Sequence, residues 1–408
     1  MNRDFEKKLA SLGVHIGTRH IHIAQKTNDN LFLTGITDTN IYGDFFYVDS
    51  ILNKDYQHGD ISFSFLSNMN KEFSLPGFEK KIKLADCAYL DTETTGLSQS
   101  SGTFAFMLGV AVFQNDRLKL RQYFLKEPGQ EQAMLLDFLN FIDPYSTIVS
   151  YNGIGFDVPI LNSRYILYRM PHNLKGKVHW DQLKFTRSLW RYQFDDRSLK
   201  SIERQVLKFE RNEEEVPGWM APEIYRDYLR TGNTTAVSGV LYHNANDVIS
   251  LAALAYVLKT ILADRDEVYT QRYESLNFAE AKLHEKIGDF TTAISVYEKA
   301  LSQSNLNILT KISCIQALST IYKRRGVFDK AVNYWEIGAE LNDLFCIIEL
   351  AKHYEHYRKD IQQAVYWVDF GLKMLELQDD LNPKNYYLQE LNHRLHRLIA
   401  KGEKNAGT

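Results

Sequence analysis

The chain has 408 residues, 44% of them hydrophobic and 24% charged, with a formal net charge of −3. That length exceeds one ordinary hydrophobic core and predicts two or three domains, and the composition is globular, not disordered or membrane-embedded. Near-neutrality argues against a protein that coats duplex DNA electrostatically, so any nucleic-acid contact is expected to be local.

Residues 1–83 are expected to be an N-terminal extension that packs on the domain after it. It opens on a short amphipathic helix (Phe5, Leu9, Leu12) and carries a strand over Asp44–Val48. The first residues lack the apolar core of a signal peptide, and no run approaches the roughly 18 apolar residues of a membrane span. Cys87, Cys314 and Cys346 are scattered, with no paired spacing, which fits a reducing compartment. A cytoplasmic protein without membrane contact is the expectation.

From Leu84 an apolar run leads into Asp91-Thr92-Glu93-Thr94-Thr95-Gly96, a strand entering a polar turn. Phe104–Phe113 and Leu118–Leu125 read as two further strands, with Asn115 and Asp116 at the hairpin turn between them. Apolar residues at helical spacing predict a helix over Glu131–Ile142, then a brief strand at Thr147–Ser150, a helix at Val158–Tyr168 and a strand at Val178–Trp180. Three strands followed by alternating helix and strand give an α/β domain over 84–262, a mixed sheet flanked by helices. Residues 196–232 read as short helices broken at Pro217, Gly218, Pro222 and Gly232, and Thr235–Leu262 as one long helix or two in succession.

From residue 266 to 400 the pattern is wholly helical and repeats. Gly288-Asp289-Phe290 with Ala293 is echoed by Gly326-Val327-Phe328 with Ala331, and more faintly by Lys359-Asp360-Ile361 with Ala364; the alanines stand 38 and 33 residues apart. A small residue followed four positions later by Tyr297, Trp335 or Val368 suits a close helix crossing. This pattern resembles tetratricopeptide repeats, whose stacked hairpins present a concave surface to a partner.

Three short motifs carry chemistry. Asp91 and Glu93 stand two apart on a strand and share a face; two carboxylates there repel unless a cation lies between them. Taken alone, the pair also fits a solvated strand end. Asn152-Gly153-Ile154-Gly155-Phe156-Asp157 opens a helix. Its glycines admit a close phosphate, and Asp157 is either a ligand or a helix N-cap. His243 and Asp247 lie on one helical face, on a segment whose apolar continuation, Val248–Leu254, argues for burial and against a surface pair.

Together, LDTETTGL, YNGIGFDVPIL and YHNANDVISLAAL resemble the three motifs of the DEDD (DnaQ-like) 3′–5′ exonuclease superfamily. The resemblance is closer still to YprB-type ribonuclease-H-like proteins, which join such a domain to C-terminal tetratricopeptide-like repeats. It implies a metal-dependent 3′–5′ exonuclease that hydrolyses single-stranded DNA or RNA with two divalent cations, Mg²⁺ or Mn²⁺. The implied metal ligands are Asp91, Glu93, Asp157 and Asp247.

His243 is the implied proton-handling residue. The spacing departs from the superfamily here, because Tyr242 stands five positions before Asp247 and His243 four; of the two, His243 is preferred. Thr94, Thr95 and Gly96 are expected near a scissile phosphate, Asn152 on a sugar or phosphate, and Asp181 in a minor site role or as a cap. Between Tyr151 and Arg211 there are 12 Lys/Arg against six Asp/Glu. That surplus suggests a backbone-tracking groove, with Trp180, Trp190 or Tyr192 for base stacking; the alternative is a solvated helical face with its aromatics in the core. Two rivals share the motifs: a catalytically silent scaffold acting through its repeats, and an endonuclease on the same metal chemistry.

Overall fold

The computed structural model describes residues 34–96, 102–171, 174–212, 215–265, 267–377 and 384–406. The helix expected around Phe5–Leu12 lies outside the described residues.

Seven strands form one sheet: β1 (Ile36–Asn40), β2 (Gly43–Leu52), β5 (Cys87–Thr94), β6 (Ala105–Gln114), β7 (Arg117–Phe124), β8 (Thr147–Ser150) and β9 (Val178–Asp181). A separate two-stranded ribbon joins β3 (Gln57–His58) to β4 (Ile61–Ser62). The order across the sheet is β1-β2-β7-β6-β5-β8-β9. Strands β5, β6 and β7 run antiparallel, whereas β8 and β9 run parallel to β5. The sheet therefore begins before residue 84, because the β1–β2 hairpin extends it beyond β7.

Local chemistry accounts for these elements. Strand β6 is buried along nearly its whole length, as a central strand covered on both faces must be. Asn115 and Asp116, at φ 50° and 55°, supply the two left-handed residues of the β6–β7 turn. Along β5, Cys87 and Tyr89 enter one core and Ala88 and Leu90 the other, the two-residue alternation of a strand with helices on both sides.

The helices of this domain are α1 (Glu131–Ile142), α2 (Asp157–Leu167), α3 (Gln182–Leu189), α4 (Leu199–Ile202), α5 (Ala221–Thr231) and α6 (Thr235–Lys259). Helix α6 continues into a π-helical turn, Thr260–Asp264. It is long and apolar enough to cross a membrane, yet most of it is buried inside the protein, the setting of a core helix.

Among the described residues eight further α-helices follow: α7 (Glu267–Arg272), α8 (Leu276–Lys286), α9 (Phe290–Leu301), α10 (Ile308–Arg324), α11 (Phe328–Glu340), α12 (Leu344–His353), α13 (Ile361–Leu377) and α14 (Lys384–Ala406). Ala293, Ala331 and Ala364 are fully buried, and Tyr297, Trp335 and Val368 join them in one continuous core. Gly288 and Gly326 turn the chain between α8 and α9 and between α10 and α11 at φ 82° and 74°. At the third turn Lys359 adopts the same left-handed conformation without being glycine.

Candidate active site

The alternation along β5 that buries Cys87 and Tyr89 against α6 continues through Asp91 and Glu93, which emerge on the α6 side. Asn244 of α6 donates its Nδ2 to Asp91 Oδ2 at 2.9 Å and accepts from Gln122 Nε2 at 2.9 Å. Asn244 reaches the strand because the residue opposite Asp91 is Gly109; a Cβ there would meet Asn244 Oδ1 at 2.2 Å. On the other face of β5, the Thr92 hydroxyl donates to Asp157 Oδ1. Asp157 is the first residue of α2 and its N-cap position is Phe156, so its carboxylate is not the capping group.

Four carboxylates thus converge from β5, the head of α2 and the middle of α6, and they repel one another. Burial drives the Asp91 carboxyl well above the usual range, the charges of Asp247, Asp157 and Glu93 add to this, and the Asn244 hydrogen bond opposes it. Glu93 is raised well above its range by burial and then by Asp247 and Asp157, against Arg211. Asp157 is pushed up to about 6 by burial, with Asp181 adding to the rise and the Thr92 hydrogen bond resisting it. Buried mutual repulsion of this kind is relieved by a hard cation. Among the described residues, Glu93, His243 and Asp247 offer ligand atoms all within 4.8 Å of one another. The donor set fits a divalent metal.

His243 and Asp247 share one face of α6, with His243 Nε2 3.3 Å from Asp247 Oδ2 and 3.5 Å from Glu93 Oε1. Tyr242 points elsewhere, and its hydroxyl accepts from the Asn212 backbone N–H at 3.2 Å.

Sequence reasoning missed Arg211. Its guanidinium donates to both oxygens of Glu203 (2.6 and 2.8 Å), to Glu215 Oε1 (3.0 Å) and to Asp247 Oδ1. A further contact runs from Arg211 Nη1 to His243 Nδ1 at 2.9 Å. Nδ1 also lies 3.3 Å from Glu215 Oε1, so it faces a donor and an acceptor at once; when it accepts from Arg211, the proton of a neutral imidazole sits on Nε2, facing Glu93 and Asp247. Behind this network Ser250 donates to Glu203 Oε1 at 2.5 Å, and His58 Nε2 lies 2.7 Å from the same hydroxyl. The sequence offered no signal for Arg211 beyond its place in a basic stretch.

Of the remaining expected residues, Thr94 and Asp181 are buried and Thr95 and Gly96 half-buried. The Thr94 hydroxyl donates to the Gly96 carbonyl at 2.8 Å. Asn152 is exposed, holds φ 69°, and donates its backbone N–H to Asp181 Oδ1 at 2.9 Å. Asp181 also accepts from Leu183 N, so it caps α3 while fixing the Asn152 loop. Gly153 is required by crowding, since a Cβ would meet Ser150 Oγ at 2.4 Å. Trp180 and Trp190 are fully buried in the core on the α6 side and are unavailable for stacking; Tyr192 is 52% exposed.

The family described as the RNase_H superfamily matches residues 88–259, from the start of β5 to the end of α6, a span that holds all four acids. The YprB protein of Bacillus subtilis (strain 168) is 32% identical over 362 residues, covering 85% of this chain and 82% of that protein. The chain belongs to the YprB family. The similarity to YprB runs beyond the ribonuclease-H-like domain, because 85% coverage cannot be met without much of the helical region. Among solved structures, the family B DNA polymerase from the hyperthermophilic archaeon Pyrobaculum calidifontis is similar at 16% identity and a TM-score of 0.35, over 52% of this chain and 29% of that one. This YprB-family chain therefore joins a ribonuclease-H-like, nuclease-type domain to a helical C-terminal region.

Proposed function

We propose that this protein is a metal-dependent 3′–5′ exonuclease acting on single-stranded nucleic acid. The observation that carries the reading is the convergence of Asp91, Glu93, Asp157 and Asp247 from three separate elements, two of them buried and two half-buried, repelling one another. These four would hold two divalent cations, Mg²⁺ or Mn²⁺, whose chemistry is to activate water and stabilise the oxygens of phosphodiester displacement. Asn244 orients Asp91, and the Thr92 hydroxyl orients Asp157. Thr94, Gly96 and Asn152 would position the scissile phosphate and sugar. His243 handles the proton; in the tautomer where Nδ1 accepts from Arg211, Nε2 carries hydrogen, and a general-base role then requires Arg211 to release Nδ1. In this reading the helical region is a tetratricopeptide-like recruiting surface for a partner.

The test uses purified protein, Mn²⁺ or Mg²⁺, and end-labelled single-stranded DNA and RNA, with Asp91→Asn as control. A ladder shortening from the 3′ end, lost with EDTA and in the control, is the expected result. Internal cuts would replace the exonuclease with an endonuclease. A second reading, the silent scaffold, draws on the Arg211 contact that already neutralises Asp247. Absence of both Mn²⁺ binding and cleavage would favour it.

A further inference from the structure

Between the ribonuclease-H-like domain and the helical region runs a groove of about 550 Å³. Five cations line it: Arg187 and Arg191 at and beyond the C-terminal end of α3, Lys282 and Lys286 on α8, and Arg324 ending α10. All five are exposed. Among the described lining residues the one acid, Glu285, is already engaged, accepting from the Tyr297 hydroxyl at 2.6 Å and from Lys282 at 3.1 Å. Arg187, Arg191, Lys286 and Arg324 form no ion pair with another described residue. Such a concentration of unpaired cations in a near-neutral chain calls for an anionic occupant. The floor is apolar, made by Leu283 and Phe290 with Tyr192 beside them. Tyr192 leans on Phe278 at 5.3 Å between ring centroids and leaves 52% of its surface to solvent.

We infer that this groove binds the sugar–phosphate backbone of single-stranded nucleic acid and stacks a base on Tyr192. Cations that track a strand with an aromatic platform among them are the construction such binding uses. Helix α3 ties the groove to the Asn152 loop. Helix α3 begins directly after Asp181, which holds the Asn152 loop, and Arg187 lies roughly 9 Å further along the helix axis. Thr186, the residue before Arg187, is tied at 2.9 Å to the hydroxyl of Tyr151, the neighbour of Asn152. Preferring nucleic acid to an acidic protein segment rests on the nuclease reading above.

The experiment measures binding without cleavage. Asp91→Asn protein in EDTA is titrated with a labelled oligothymidylate or oligouridylate of about 20 nucleotides across about 50–200 mM salt. The same background carrying Arg187→Gln, Arg191→Gln and Lys286→Gln should bind at least about tenfold more weakly, with a log–log salt slope shallower by about 2. Tyr192→Ala should lower oligonucleotide affinity by about fivefold or more at unchanged slope. Unchanged affinity and slope in the triple variant would overturn the proposal, as would equal binding of polyglutamate at the same site. Failure of the nuclease reading looks different: the groove variants lose binding as expected, yet the unsubstituted protein cleaves nothing in Mn²⁺. Cleavage that persists while the triple variant binds normally would sink the groove and leave the nuclease standing.

Discussion

Replacing Arg211 by alanine tests how the acidic cluster is held together. The Arg211 side chain is 4% exposed and makes two hydrogen bonds to Glu203, whose own side chain is 1% exposed. It also serves Asp247 and Glu215. Without it, Glu203 keeps only the Ser250 hydroxyl among these partners, inside a core that already raises its pKa through burial. Stranding a buried carboxylate in this way costs about 3–5 kcal/mol, a drop of roughly 6–20 °C in the unfolding midpoint of this domain. The penalty depends on pH with a definite sign. Arg211 is what holds Glu203 down, so in the variant the folded-state pKa of Glu203 rises further above its unfolded value. A raised carboxyl binds protons preferentially in the folded state, so stability is present at low pH and lost as pH climbs. The deficit should therefore be larger at pH about 8 than at about 5. Thermal unfolding followed by circular dichroism in EDTA at both pH values reads this directly. A loss under about 1 kcal/mol, or a loss greater in acid, would refute the buried-network argument.

Two further perturbations probe the same cluster. Gly109→Ala should push Asn244 from Asp91, costing about 1–3 kcal/mol and most of the cleavage; adding Asn244→Ala should recover stability but not cleavage, and recovery of both would show that Asn244 does not position Asp91. In metal-free protein, the Asp157 carboxyl at about 6, against its ordinary 3.8, favours the folded state below pH 4 and loses that contribution as pH rises through 6. Relative to the parent, Asp157→Asn should accordingly gain on the order of 3 kcal/mol across that interval, measured by denaturant unfolding, and a flat difference would discount the raised value.

The parts of the site legible in the sequence were those written locally. Two carboxylates on alternate residues of a strand, a glycine-flanked turn into a helix, and His243 four before Asp247 each derive from the period of one element. Helix α1 and strand β8 span the expected residues for the same reason. What could not be read was tertiary. Asn244 sits beside His243 in sequence, yet its role depends on Gly109 lying opposite Asp91 on the neighbouring strand. The basic surplus between Tyr151 and Arg211 misled in a similar way, because it is not one face. Arg164 turns inward to Glu131, Lys177 donates to the carbonyls of Ile142, Asp143 and Tyr145, and Arg211 lies inside the acid cluster. Arg187 and Arg191 do point outward, and the cations that complete their groove arrive from α8 and α10.

Electrostatically the site has two unequal halves. The side-chain donors to Asp91 and Asp157, the Asn244 amide and the Thr92 hydroxyl, are neutral and supply no positive charge. Asp247, by contrast, already shares the charge of Arg211 with Glu203 and Glu215. A divalent cation bound in the cluster would gain most on the Asp91–Asp157 side, where no charged donor answers the repulsion. On the Asp247 side it must compete with a guanidinium that cannot be deprotonated. That guanidinium also contacts His243 Nδ1 through its other terminal nitrogen, and Glu215 Oε1 lies 3.3 Å from the same ring nitrogen. Arg211 thus links the Asp247 half of the cluster to the His243 imidazole through one side chain.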